Sequence, residues 1–76
     1  MRVAVFSAKP YDEQFLRAAN REAGHELQFL EARLAPETAP LARGADAVCA
    51  AGNDDLGAEV SRRLAAAGVR LGGLRS

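Results

Sequence analysis

The sequence predicts an α/β fold built on a parallel sheet, and three observations carry that expectation. Residues 3–6 (VAVF) and 47–51 (AVCAA) are apolar runs without polar alternation, as in strands covered on both faces. Each run is followed by turn residues and then by apolar side chains at helical spacing. Strand and helix therefore alternate, the pattern of β-α-β units that join parallel strands.

The first run lies within residues 2–12 (RVAVFSAKPYD) and is expected in the interior of the sheet, with the other elements layered around it. Pro10 cannot donate to a ladder and biases Lys9 toward an extended backbone, so the chain turns over residues 7–10. A helix follows, with Asp12 as its expected N-cap. Phe15, Ala19 and Ala23, widened by Leu16, form the expected core stripe, leaving Glu13, Arg17, Asn20 and Arg21 to solvent. Glu13 and Arg17 are spaced for an ion pair one turn apart, and Gly24 closes the helix.

Residues 25–32 (HELQFLEA) alternate early, with Leu27 and Phe29 opposite Glu26 and Gln28, as in a strand near a sheet edge. Residues 33–44 carry Pro36 and Pro40, which forbid a long helix and leave a short helical turn near residues 37–42. Asp46 leads into the second buried run. Gly52, Asn53, Asp54 and Asp55 then supply turn and capping chemistry before Leu56, Val60 and Leu64 take up helical spacing. Glu59 and Arg63 can pair, and Gly68 ends that helix. Residues 69–74 (VRLGGL) form a fourth short strand, weakened by Gly72 and Gly73.

The order β-α-β-(short α)-β-α-β, with the first strand inside, is that of an incomplete flavodoxin-like fold, in which ligands bind beyond the carboxyl ends of the strands. Here those ends are residues 7–11, 52–55 and 75–76. The chain stops after a strand, where a further element is expected, so it reads as a piece of a larger protein.

Composition narrows the function. The chain has 76 residues, 49% of them apolar but with only three Phe, one Tyr and no Trp, so its core is thin. Ten basic and ten acidic residues are interspersed, without the cationic stripe of a nucleic-acid binder or the charge for an anionic membrane surface. The single Cys49 cannot form an internal bridge, which fits a reducing, cytoplasmic setting. The N-terminal apolar run is too short for a signal peptide or a membrane span.

Chemistry-bearing motifs are few. No phosphate-cradling glycine loop occurs, and one His and one Cys far apart do not make a soft metal site. Asn53, Asp54 and Asp55 read better as helix-capping residues than as a Mg²⁺ or proton-sharing site. A phospho-receiver needs an acidic pair after the first strand, where Ser7, Ala8 and Lys9 stand instead. His25 starts a strand and so lies at the end of the sheet opposite the ligand rim. Cys49 is expected as a small core residue. Lys9 and Tyr11 lie on the rim, the lysine solvated and the tyrosine packed over the helix start.

Taken in order, VAVFSAKPYD, GHELQFLEARL, GADAVCA-AGNDDL and GVRLGGLRS resemble the N-terminal segment of fermentative NAD-dependent D-lactate dehydrogenases, of the D-2-hydroxyacid dehydrogenase family. Phe6-Ser7-x-Lys9-Pro10-Tyr11-Asp12 and Asn53-Asp54-Asp55-Leu56 are the most specific parts of that resemblance. It implies that residues 1–76 are part of the family's flavodoxin-like substrate domain, with the dinucleotide-binding domain absent. It implies that Ala51, Gly52 and Asn53 border the substrate's side chain, and that Ser76 lies at the edge of a site where backbone N–H groups hold its carboxylate. The family's arginine, glutamate and acid/base histidine come later in its chains, so no catalytic residue and no NAD-binding residue is expected here. His25 is not that histidine. Gly72 and Gly73 replace the family's bulkier strand residues.

The expectation is thus a fragment of an oxidoreductase that interconverts pyruvate and D-lactate with NAD(H), inactive alone. Its expected partners are a small 2-oxo or 2-hydroxy acid in the full enzyme and the missing C-terminal part of the chain, with a homo-oligomer left open and neither nucleic acid nor membrane. The alternatives are a free-standing flavodoxin-like interaction module and, more weakly, a sensor of organic anions around Lys9 and Asn53.

Overall fold

A computed structural model describes residues 1–51 and 57–75. The elements are β1 (Arg2–Val5), α1 (Pro10–Ala23), β2 (Glu26–Phe29), a 3-10 turn (Ala39–Ala42), β3 (Ala47–Ala51), α2 (Ala58–Ala66) and β4 (Leu71–Arg75). The strands form one four-stranded sheet in the order β2-β1-β3-β4, and every pairing is parallel. β1 is interior and β2 is an edge, as the unalternated and alternated patterns predict.

The register places Val3 beside Leu27 and Ala47, and Val5 beside Phe29 and Cys49. Because successive strand residues face opposite sides, these six share one face. Ala4, Phe6, Val48 and Ala50 occupy the other, where they join Leu34, Ala39, Ala42 and Ala45 of the crossover and Val60 of α2 in one buried cluster. Leu30, Leu64 and Val69 pack at its margin. α1 covers the first face, since the Arg17 guanidinium stands 4.9 Å from the centroid of the Phe29 ring. That cover is light: Val5 and Ala47 are buried, but Val3, Leu27, Phe29 and Cys49 are only half-buried. Cys49 is therefore less enclosed than its run suggested.

The rotation of α1 also differs from expectation. No residue of this helix is buried. Phe15 is 72% exposed and Tyr11 68%, so neither the Phe15-Ala19-Ala23 stripe nor the tyrosine packs inward. The half-buried positions are Asp12, Glu13, Leu16 and Asn20. Polar contacts set this rotation. The Asn20 amide donates to the His25 carbonyl at 2.5 Å and accepts from the His25 N–H at 2.9 Å, fastening that side of the helix to the entry of β2.

Helix starts shift for identifiable reasons. Pro10 takes the first helical position, where its missing N–H costs nothing, so Lys9 is the N-cap. Asp12 serves from the third position, accepting the Lys9 N–H at 3.1 Å. α2 begins at Ala58 with Gly57 as N-cap, and the expected turn and capping role of residues 52–55 falls on other residues of the chain. Residues 52–55, with Leu56, lie outside the described ones. Gly24 (φ +71°) and Gly68 (φ +95°) end the two helices in the left-handed region, as expected.

β4 begins two residues later than its apolar pattern. The Val69 N–H is used at the helix end on the Leu64 carbonyl (3.0 Å), and the Arg70 N–H reaches the Asp46 carbonyl (2.9 Å). Gly72 and Gly73 pair in register with Val48 and Cys49. The helical turn of the crossover is confined to Ala39–Ala42, behind Thr38. The Thr38 hydroxyl donates to the Arg33 carbonyl (2.5 Å) and accepts from the Ala35 N–H (2.8 Å), a side-chain turn that tucks Leu34 and Ala39 into the core. No helix among the described residues is long and apolar enough to cross a membrane.

Candidate functional site

Parallel strands place all their carboxyl ends on one edge of the sheet, and that rim is where this topology offers a site. Its best-fixed part is the exit of β1. The Phe6 N–H bonds the Cys49 carbonyl at 2.9 Å, the Ser7 N–H the Ala32 carbonyl at 2.8 Å, and the Ala8 N–H the Leu30 carbonyl at 2.9 Å. The exit is thus tied to strands on both sides. Ser7 has φ +55°, a left-handed conformation that costs a residue with a Cβ about 1 kcal/mol. That turn sends the chain from the sheet into α1, whose first turn presents exposed Lys9 and Tyr11 beside the rim.

β3 ends at Ala51, which is half-buried and pairs in register with Arg75 of β4. Gly52 and Asn53 follow Ala51 in sequence, and Ser76 follows Arg75. Of the four expected substrate-binding residues, Ala51, Gly52, Asn53 and Ser76, the described one is Ala51, at the end of β3. Gly52, Asn53 and Ser76 themselves lie outside the described residues.

Other chemistry-bearing groups stand apart from the rim. His25 precedes β2 at the opposite edge, where its Nδ1 lies 3.1 Å from the Met1 amine. Among the described residues no three His, Cys, Asp or Glu gather as a metal site. The titratable group clearly shifted among them is Glu59 on α2. A hydrogen bond from Arg63 at 2.9 Å, with Arg62 beside it, holds its carboxyl below the ordinary value of 4.5, against a smaller opposing effect of desolvation. This is an exposed helical ion-pair cluster, and the Glu13–Arg17 pair at 3.5 Å is another. Among the described residues the rim offers a backbone-lined edge with the Lys9 cation nearby and no acid/base pair. What residue patterns did not reveal is the Ser7 strain; a serine at a strand exit gives no signal of positive φ.

No family model matches the chain. A 2-hydroxyacid dehydrogenase homolog of Zymomonas mobilis is 48% identical over 75 residues, covering 99% of this chain and 23% of that protein. The D-lactate dehydrogenase of Escherichia coli is 40% identical over 75 residues, again 99% of this chain and 23% of that protein. Among solved structures, Salmonella D-lactate dehydrogenase superposes with a TM-score of 0.96 at 39% identity, covering 97% of this chain and 22% of that one. D-lactate dehydrogenase with NAD+ from Lactobacillus jensenii gives 0.74 at 27% identity, covering 97% and 23%. The chain thus spans under a quarter of the length of the curated relatives it matches.

Proposed function

We propose, from a chain that matches D-lactate and 2-hydroxyacid dehydrogenases along almost its whole length, that residues 1–76 are part of the substrate domain of an NAD-dependent enzyme of that kind. The activity is the interconversion of pyruvate and D-lactate. The observation that carries the reading is this match, made by a sheet whose strand order and rim suit a substrate domain. Ala51, Gly52 and Asn53 border the methyl side of the substrate, and the backbone at Ser76 contributes to holding its carboxylate. Lys9 adds a positive potential near the rim.

This segment supplies wall and anion contacts, whereas hydride transfer requires NAD and the proton a histidine acid/base, both belonging to the rest of the enzyme. The sequence holds no glycine loop for the cofactor, and its one histidine is at the far edge. The segment is accordingly inactive alone. Its partners are the 2-oxo acid and the remainder of the enzyme chain, in the cytoplasm.

A chimera tests the reading: residues 1–76 replace the matching segment of the Escherichia coli enzyme, and NADH oxidation is followed with pyruvate. The chimera is expected to turn over, the 76-residue chain alone to be inactive, and Asn53→Ala in the chimera to raise KM for pyruvate roughly fivefold, the worth of about 1 kcal/mol of packing beside the methyl group. A folded chimera that binds NADH without reducing any 2-oxo acid overturns it, as does pyruvate-dependent NADH oxidation by the short chain.

A further inference from the structure

At the edge of the sheet opposite the rim, the end of α1 and the start of β2 enclose an open groove of about 370 Å³ lined by Arg17, Asn20, Arg21, Gly24, His25 and Leu27. We propose that this groove binds a small multivalent oxyanion of the phosphate class.

Three of the lining residues, Arg17, Arg21 and His25, carry cationic or donor side chains, and two of them are held in place. Arg17 is braced by Glu13 at 3.5 Å and stacked over Phe29, which leaves the rest of its planar fork to bond a ligand. His25 is fixed through its backbone by both atoms of the Asn20 amide. Its Nδ1 accepts from the Met1 amine at 3.1 Å, which leaves Nε2 as the ring's donor. Arg21 makes no ion pair among the described residues, so its charge is uncommitted. The carboxylates nearby leave the Arg21 charge in place. Glu13 is engaged by Arg17, Glu26 by Arg2 at 2.6 Å, and Glu22 does not line the groove. Two guanidinium groups one helical turn apart suit an anion with several oxygens, because each presents paired N–H donors. The volume falls at the small end of ligand sites, room for phosphate with its water.

Titration of the ¹⁵N-labelled chain with sodium phosphate at low ionic strength, against sodium chloride at matched ionic strength, tests the proposal. Saturable shifts are expected at the amides of Arg21, Gly24, His25 and Leu27, with chloride producing none that saturate. Arg21→Gln removes a side chain without an ion-pair partner, so the fold stays intact, and it should weaken apparent phosphate affinity at least about tenfold, while Arg21→Lys retains part of it. Unsaturable shifts, equal shifts with chloride, or an unchanged affinity in Arg21→Gln overturn the proposal. So does a spectrum without dispersed resonances, since the groove would then not exist in solution.

Discussion

Phe6 is fully buried in the cluster with Leu34 and Val60, whereas Phe15 on α1 is 72% exposed. The two rings therefore differ in what their loss costs. Phe6→Ala removes a large side chain from a core otherwise made mostly of alanine and valine, and should destabilise the chain by about 3–5 kcal/mol, enough to unfold a domain of this size. Phe15→Ala should stay within about 0.5 kcal/mol. Urea midpoints of the two variants check both, and the reverse order would show that α1 packs by its apolar stripe after all. Glu59 gives a residue-scale prediction of another kind. Its carboxyl is held below the ordinary value of 4.5 by Arg63 and Arg62, so its contribution to stability is present above that value and is lost as the pH falls through the depressed one. Circular dichroism of α2 should therefore fall with acidification in the wild type more than in Glu59→Gln, and added salt should narrow the difference because the cluster is exposed.

At the scale of elements, the helix ends and the last strand respond to backbone chemistry. Gly68 ends α2 at φ +95°, and Gly68→Ala should cost about 1 kcal/mol through the left-handed backbone alone, since a Cβ there meets nothing within 4 Å. Gly72 is the opposite case. It is paired to Val48 inside a strand, and an added Cβ meets nothing within 4 Å, so Gly72→Ala should raise stability by about 0.5–1 kcal/mol. Thermal or urea unfolding of the two variants, moving in opposite directions, is the check. The interior strands were legible from sequence because a strand with neighbours on both sides and layers on both faces leaves an unalternated apolar run, as in residues 47–51, and the helix C-termini because glycine takes up their left-handed backbone most readily. The rotation of α1 was not, because periodicity ranks faces by apolarity whereas Asn20 clips the helix by its amide. Nor was the crossover's share of the core. Leu34, Ala39, Ala42 and Ala45 follow no period, and a threonine turn rather than a helix brings them in. The candidate rim was legible only as an edge, Ala51 and its neighbour Arg75, since register decides which strand ends adjoin.

For the molecule as a whole, the sheet is unequally covered, and its stability should divide along the same line. One face meets the crossover and α2 in a continuous buried cluster. The other meets α1, which buries none of its own residues and leaves Val3, Phe29 and Cys49 half-buried. Burial of apolar area contributes about 25 cal/mol per Å², so a helix that buries little is held chiefly by its caps and side-chain clips and can open without the sheet. Native-state hydrogen exchange should then show the amides of Val5, Phe6, Val48 and Ala50 exchanging only by global unfolding, and those in the middle of α1 by a lower-energy opening. Arg17 and Asn20 are the contacts that oppose this opening, one over Phe29 and one across His25. Asn20→Ala should thus speed exchange throughout α1 while leaving β1 and β3 almost unchanged. Equal acceleration in helix and sheet would mean that the two faces unfold as one unit, and the unequal layering would carry no energetic weight.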